Sequence, residues 1–254
     1  MNSLWIIIQA RMLSSRLPGK VVKDIEGSPM IAHVIRRVKR SKFGANVCLA
    51  TTGESADDIL ERIAAQEEVA CFRGSRDDVL SRYYEAAKQN HAEMIVRITG
   101  DCPVIDPQVI DRVVEHHIET KAEYTSNIHP PTFPDGLDVE VFSFDVLERA
   151  RAQANKIYQR EHVTAYMWEN TDMFSNQNIV HTEDLNKLRW IVDEEEDLQF
   201  MRNLFHQLYA AEKKDFVMSD ILEVFRRDQQ LREINQGIQR NEGFTKSLKE
   251  DGLL

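Results

Sequence analysis

The sequence predicts an α/β fold: three layers, with a mixed, mostly parallel sheet covered by helices on both faces. Two observations carry this expectation. Short apolar runs alternate with segments whose apolar residues recur at helical spacing, and this strand-then-helix unit repeats four times with short links. Parallel strands need long crossovers, usually helices, and those helices cover the sheet. A third observation makes the sheet mixed. After Tyr124 the chain turns loop-rich and then alternates over Leu137–Phe142, as a strand outside the repeat would. No repeat, low-complexity tract or Gly/Ser linker divides the 254 residues. The expected organisation is therefore one domain over 1–254, with an α/β core over 1–215 and a helical C-terminal tail over 216–254.

The elements follow in order. Leu4–Gln9 is a strand. "PMIAHVIRRVKRS" places Ile31, Val34, Ile35 and Val38 on one helical face. "NVCLATT" is a second strand, and "SADDILERIAAQE" a helix with Ser55 as its N-cap. "EVACFRG" is a third strand, followed by a helix that starts after Gly74. "AEMIVRITGD" is a fourth, ending at Gly100 and Asp101, and "DPQVIDRVVEHHIET" is the next helix. "SFDVLERARAQA" and "IYQREHVTAYMWEN" have helical patterns. "LRWIVDEEEDLQFMRNLFHQLY" reads as strand, loop and helix, and from Met218 the chain is helical and polar. In sheets of this kind ligands sit beyond the carboxyl ends of the strands, where strand order reverses. The residues after Gln9, Thr51, Phe72 and Thr99 are the ones to watch.

Composition is that of a globular protein, with 42% hydrophobic and 29% charged residues. The formal net charge of -10 argues against general binding to nucleic acid and makes any local cluster of cations informative. Cys48, Cys71 and Cys102 are isolated, without a CxxC, as expected of packed, reduced thiols. The N-terminus lacks a basic region and has only a short apolar run. It reads as neither signal peptide nor membrane span, and a cytoplasmic location is the default expectation.

Five constellations carry chemistry. The loop after the first strand holds Arg11, Ser14, Ser15, Arg16 and Lys20. Polyphosphate is bound by converging cations and amide donors, and this loop supplies both. A solvated basic loop turning at Pro18 and Gly19 is the plainer alternative. GxxxxGK[ST] is absent. Asp101 ends the fourth strand at the ligand edge, suited to a divalent cation on phosphates, or to capping the next turn. Asp193 ends an apolar run, and two distant strand-end carboxylates fit one metal site. The acids behind it complement a helix dipole. Asp138 and Glu140 would share one strand face, open to sugar hydroxyls or simply to solvent. Gly74 and Ser75 permit close approach of a base or ribose, or merely start a helix. "YQREHVTAY" is dense in polar function, as a substrate or dimer contact or as a charged helix face. No GxSxG or HExxH occurs.

Taken together these motifs are familiar. "IIIQARMLSSRLPGKVV" resembles the N-terminal signature of the cytidylyltransferase family, whose members make CMP-linked ulosonic and sialic-type sugars. Its form is closest to the spore-coat polysaccharide biosynthesis branch. "RITGDCPVIDP", "FPDGLDVEVFS", "YQREHVTAYM", "LRWIVDEEEDL" and "INQGIQRNEGF" resemble that branch in the same order, so the likeness spans nearly the whole chain. It implies a Rossmann-like fold of the nucleotide-diphospho-sugar transferase type. It also implies transfer of CMP from CTP to a sugar acid or phosphonate-type acceptor, with Mg²⁺ and release of pyrophosphate. Carried over, the nucleotide-binding positions are Gln9, Ala10, Arg11, Ser14, Ser15, Arg16 and Lys20, with Arg73, Gly74 and Ser75 at the base. Asp101 and Asp193 match the metal-binding aspartates, and Arg11, Lys20 and Asp101 take catalytic roles. Asp138, Glu140 and His162 fall on the acceptor side, where members diverge. "RITGD" departs from the "NVQGD" of the octulosonate enzymes, which leaves the sugar unnamed. Related enzymes are often homodimers, which leaves a homodimer open without the sequence deciding the oligomeric state. Two other readings are a glycosyltransferase of the related fold, with Asp138-Val139-Glu140 as its nearest DxD-type motif, and a non-catalytic nucleotide-binding protein.

Overall fold

A computed structural model describes residues 3–238, 240 and 242–254. Met1 and Asn2 of the N-terminal reading, and Gln239 and Asn241 of the tail motif, lie outside the described residues. The first half alternates as its sequence predicts. β1 (Leu4–Gln9) is followed by the small hairpin β2 (Asp24–Ile25) and β3 (Ser28–Pro29), then α1 (Met30–Val38). β4 (Val47–Thr52), α2 (Asp58–Gln66), β5 (Ala70–Gly74), α3 (Val79–Gln89), β6 (Met94–Thr99) and α4 (Pro107–Thr120) complete the repeat. β7 (Tyr124–Ser126), β8 (Glu140–Ser143), α5 (Phe144–Gln153), α6 (Ile157–Glu161), α7 (Ala165–Glu169) and β9 (Asn176–Asn178) follow. The chain ends with α8 (Glu195–Ala210), α9 (Met218–Arg227), α10 (Gln229–Glu233) and α11 (Glu242–Glu250).

The main sheet runs β5-β4-β1-β6-β8-β7-β9. β5, β4, β1 and β6 are parallel; β8 is antiparallel to both its neighbours, which makes the sheet mixed. The chain builds outward from β1 through β4 to β5, then returns to add β6 on the other side. Strand order therefore reverses between β1 and β6, and their carboxyl ends, Gln9 and Thr99, are paired. A side chain period of two sends Ile6 and Ile8 into one core layer with α1, α4 and α8, and Ile7 into the other with α3 and α5. The three isoleucines are fully buried because both faces are covered.

Several local expectations shift. Ser55 does not cap α2; Ser55–Asp57 form a 3-10 turn and the helix starts at Asp58. The helix after Gly74 begins at Val79, where the Asp78 side chain accepts from Ser81 N–H. The strand predicted over Leu137–Phe142 pairs only from Glu140 onward. Before that, the Asn127 side chain takes the place of a neighbouring strand, donating to Leu137 O and accepting from Val139 N–H. The apolar run before Asp193 makes one parallel bridge, Asp135 with Arg189, and no named strand. The helical stretch over 157–169 is broken between α6 and α7 by Val163, at φ 59°. A β-branched residue there is strained, and the break turns His162 away from α7.

Candidate active site

Beyond the carboxyl ends of β1 and β6 lies a cavity of about 840 Å³. Gly100 lets the two strands close on each other: a Cβ there would meet Gln9 O at 2.8 Å and the Ala10 side chain at 2.9 Å. The loop after β1 forms one wall, with Arg11, Ser14, Ser15, Arg16 and Lys20 all facing the cavity. Asp57, missed in the sequence, fixes where that loop starts. Its buried carboxylate accepts from Met12 N–H at 2.7 Å and from the hydroxyls of Thr51 and Thr52. Those bonds outweigh burial and hold its carboxyl below the usual range. Gln9 and Ala10 line the floor, where the buried Gln9 Oε1 has no hydrogen-bond partner.

Lys20 is the centre of charge. Its Nζ donates to Asp101 Oδ2 at 2.8 Å, to Asp193 Oδ1 at 2.6 Å and to Val192 O at 2.9 Å. Burial works against the ammonium, but the two carboxylates outweigh it and the pKa is raised. The same pairing overcomes burial at Asp101 and lowers its pKa. Asp101, just past β6, and Asp193, which follows no strand, thus converge on one cation from segments far apart, and Val192 N–H donating to Asp101 O at 2.9 Å ties their backbones together. Among the described residues no group of three or more His, Cys, Asp or Glu side chains is placed to hold a metal alone. Two carboxylates opening on a cavity do fit Mg²⁺, which keeps few protein ligands and completes its shell with phosphate and water.

The other predicted positions divide. Arg73 turns away from the cavity: it donates to Thr52 O and Glu54 O and pairs with Asp58 at 2.7 Å and Glu61 at 2.9 Å. Gly74 packs against the Phe72 ring, and Ser75 stands outside the lining. The cavity-facing residues of this region are instead Arg76, Asp77, Val79 and Arg82. Arg82 is almost fully buried; burial lowers its pKa to about 10, and its Nε has no hydrogen-bond partner. An Arg between Leu80 and Tyr83 on the buried side of an amphipathic helix is the signal that sequence reading passed over.

Of the three residues expected on the acceptor side, the structure brings His162 to the cavity and keeps Asp138 and Glu140 out of its lining. Glu140 is buried, paired with Arg97, and accepts from Tyr124 Oη at 2.6 Å and from Thr164 Oγ1. Burial raises its pKa, and Arg97 together with the bonds from Thr164 and Tyr124 lowers it more. It is part of the sheet's interior, because β8 lies between β6 and β7 and no strand face there is open. Asp138 pairs with Arg240 at 2.7 Å. Burial of His162 lowers its pKa to about 4, so its ring is neutral. Glu161 stands 4.0 Å from Arg11. The tail supplies the last wall. α11 lines the cavity with Glu242, Gly243, Lys246, Ser247 and Glu250, and Glu242 pairs with Arg16 at 3.1 Å. The thiols stay out of the chemistry; burial pushes Cys48 up to about 12 and Cys71 up to about 11.

A family model described as cytidylyltransferase matches residues 5–211. This chain belongs to the cytidylyltransferase family. Its relatives agree. It is 30% identical to the spore coat polysaccharide biosynthesis protein SpsF of Bacillus subtilis over 90% of this chain and 96% of that one. It is 35% identical to a 3-deoxy-manno-octulosonate cytidylyltransferase of Geobacter sulfurreducens, over 47% of each. A solved cytidylyltransferase from Leptospira borgpetersenii superposes with a TM-score of 0.87 at 34% identity, covering 91% of this chain and 97% of that one. A CMP:2-keto-3-deoxy-manno-octonic acid synthetase complexed with CTP, at 19% identity and a TM-score of 0.62, shares the fold. The nucleotidyltransferase fold expected from the family motifs is thereby shown. No helix among the described residues is long and apolar enough to cross a membrane.

Proposed function

We propose that this cytidylyltransferase moves the CMP group of CTP onto an oxygen of a sugar acid or related acidic acceptor, releasing pyrophosphate, in surface polysaccharide or glycoconjugate biosynthesis. The observation that carries this reading is Lys20 Nζ between Asp101 and Asp193, on the floor of a cavity walled by the Arg- and Ser-bearing loop. The names of the relatives support it: one enzyme acts on an octulosonate, and one protein serves polysaccharide biosynthesis.

In the proposed reaction the acceptor hydroxyl gives up its proton to solvent, and its oxygen forms a bond to the α-phosphorus of CTP. The bond from that phosphorus to the bridging oxygen breaks, and its electron pair leaves with pyrophosphate. Negative charge grows on the phosphoryl and leaving oxygens, so fixed cations aimed at them lower the barrier. Arg11, Arg16 and Lys20 are those cations. Gln9 Oε1, buried and unpartnered, is an acceptor for a nucleotide N–H or O–H. Asp101 and Asp193 would hold Mg²⁺, which when bound offsets phosphate charge and helps align the triphosphate. Lys20 neutralises the same two carboxylates, which would otherwise repel each other across the site.

The test is pyrophosphate release with each of the four nucleoside triphosphates, Mg²⁺, and a panel of 3-deoxy-manno-octulosonate, N-acetylneuraminate and a phosphonate. CTP with an acidic acceptor is expected to be the productive pair. Consumption of a nucleotide sugar, or no pyrophosphate with any pair, rules the reading out.

A further inference from the structure

The reaction needs two substrates, and the cavity has two unlike ends. At about 840 Å³ it lies near the top of the range for single-ligand pockets. The loop after β1, Lys20, Asp101 and Asp193 make one end. The other is made by α6 and α11, through Ile157, Glu161, His162, Lys246, Ser247 and Glu250. The match to the family model stops at residue 211, so α11 lies beyond it.

α11 is built into this wall. Asp251, just past its end, accepts from the N–H groups of Ile157 and Tyr158 at 3.3 and 2.7 Å. Phe244 packs edge-on against Tyr158 and His162, with ring centroids 5.8 and 5.0 Å apart. The buried Ser247 hydroxyl donates to Glu161 Oε2 at 2.6 Å, and its oxygen lies 3.0 Å from His162 Nε2. A hydroxyl has one hydrogen, so with that hydrogen on Glu161 the neutral imidazole donates to Ser247. Glu161 keeps its second oxygen toward the cavity, 4.0 Å from Arg11, as an acceptor for substrate hydroxyls. Immediately before Ser247 on α11, Lys246 is the wall's cation. Its partner, Glu250, is 3.9 Å distant and exposed, a weak tie that an incoming anion can replace.

We propose that α6 and α11 form the acceptor subsite, with Lys246 selecting the carboxylate of a polyhydroxylated acid and Glu161, set by Ser247 and His162, receiving its hydroxyls. This rests on the cytidylyl-transfer reading and names where its acceptor is recognised. The solvent-exposed Lys246 can be changed without disturbing the core.

The test compares wild type with Lys246→Met and Lys246→Arg in pyrophosphate release from CTP and Mg²⁺, using 3-deoxy-manno-octulosonate, N-acetylneuraminate and the methyl ester of each. Losing a charge-assisted bond should raise the KM for the acid on the order of tenfold. The preference for acid over ester should collapse in Lys246→Met and return in Lys246→Arg, while the KM for CTP stays within about twofold of wild type. An unchanged acid-to-ester preference in Lys246→Met overturns the inference alone, as does an equal rise in both KM values. Wild-type protein that releases no pyrophosphate with any of these acids overturns the parent reading and this one together.

Discussion

The parallel half of the sheet and the wall opposite it are assembled in contrasting ways. β1 and the loop that follows it place Arg11, Arg16 and Lys20 within one continuous stretch, and β6 delivers Asp101 at its own end. The opposite wall joins residues 85 and 86 positions apart, His162 and Glu161 with Ser247. The contrast shows where each half draws its precision. A strand at a switch point orients its loop by backbone pairing, so local sequence suffices. A wall made of helix faces depends on Phe244, Asp251 and the break at Val163 all being met at once.

The comparison breaks most sharply at Asp101. Asp101→Asn keeps the shape and removes the charge, and turnover should fall about a thousandfold, roughly 4 kcal/mol of barrier, while the protein still folds and melts cooperatively. Steady-state kinetics beside a thermal melt would check it; near-normal turnover would remove Asp101 from the chemistry. On the mixed side of the sheet the expectation is reversed, toward stability. Glu140→Ala leaves the Arg97 guanidinium buried without its carboxylate, at a cost of about 3–5 kcal/mol in urea unfolding. A variant as stable as wild type would mean that Glu140 is held for substrate instead.

A smaller effect concerns pH. His117 is buried on α4 against Thr125 Oγ1 at 2.9 Å, and burial lowers its pKa to about 4. Below about pH 6.5 the unfolded chain gains a proton that the folded chain refuses until about pH 4. Stability should therefore fall through that window, by about 3 kcal/mol at its foot, and His117→Gln should flatten the slope in denaturation series at pH 7, 5.5 and 4. The smallest effect sharpens the join between the two regions. Glu242 sits on Arg16, where the proposed triphosphate would bind. Exposed pairs are worth at most about 1 kcal/mol, so Glu242→Gln should tighten CTP binding by up to roughly fivefold in a calorimetric titration. Weaker binding would make Glu242 a part of the nucleotide site and not a competitor for it.

The legible parts of the site were those fixed by short range. Arg11, Ser14, Ser15, Arg16 and Lys20 follow one strand, and all face the cavity. Arg73 entered only through the family resemblance, by a looser match than the first loop's, and acids on α2 hold it elsewhere. Glu140 alternated as a solvent-facing strand residue should, but β7 and β8 pack into an interior where Arg97 needs a counter-charge. Arg82 was concealed inside an ordinary amphipathic helix, and Lys246 and Ser247 inside a polar tail.

The sequence by itself determined the alternation of strands and helices and the cation-rich loop, because each depends on side chain period and on neighbours a few residues away, whereas the reversal of strand order beside β1 came from the sheet pairing. It also carried the family, through motifs in a fixed order. Only the tertiary structure decided that Lys20 stands between Asp101 and Asp193, that Glu140 is interior, and that the tail closes the cavity. Those outcomes depend on which distant charges meet in a space that excludes water, where an unpaired ion is too costly to leave alone.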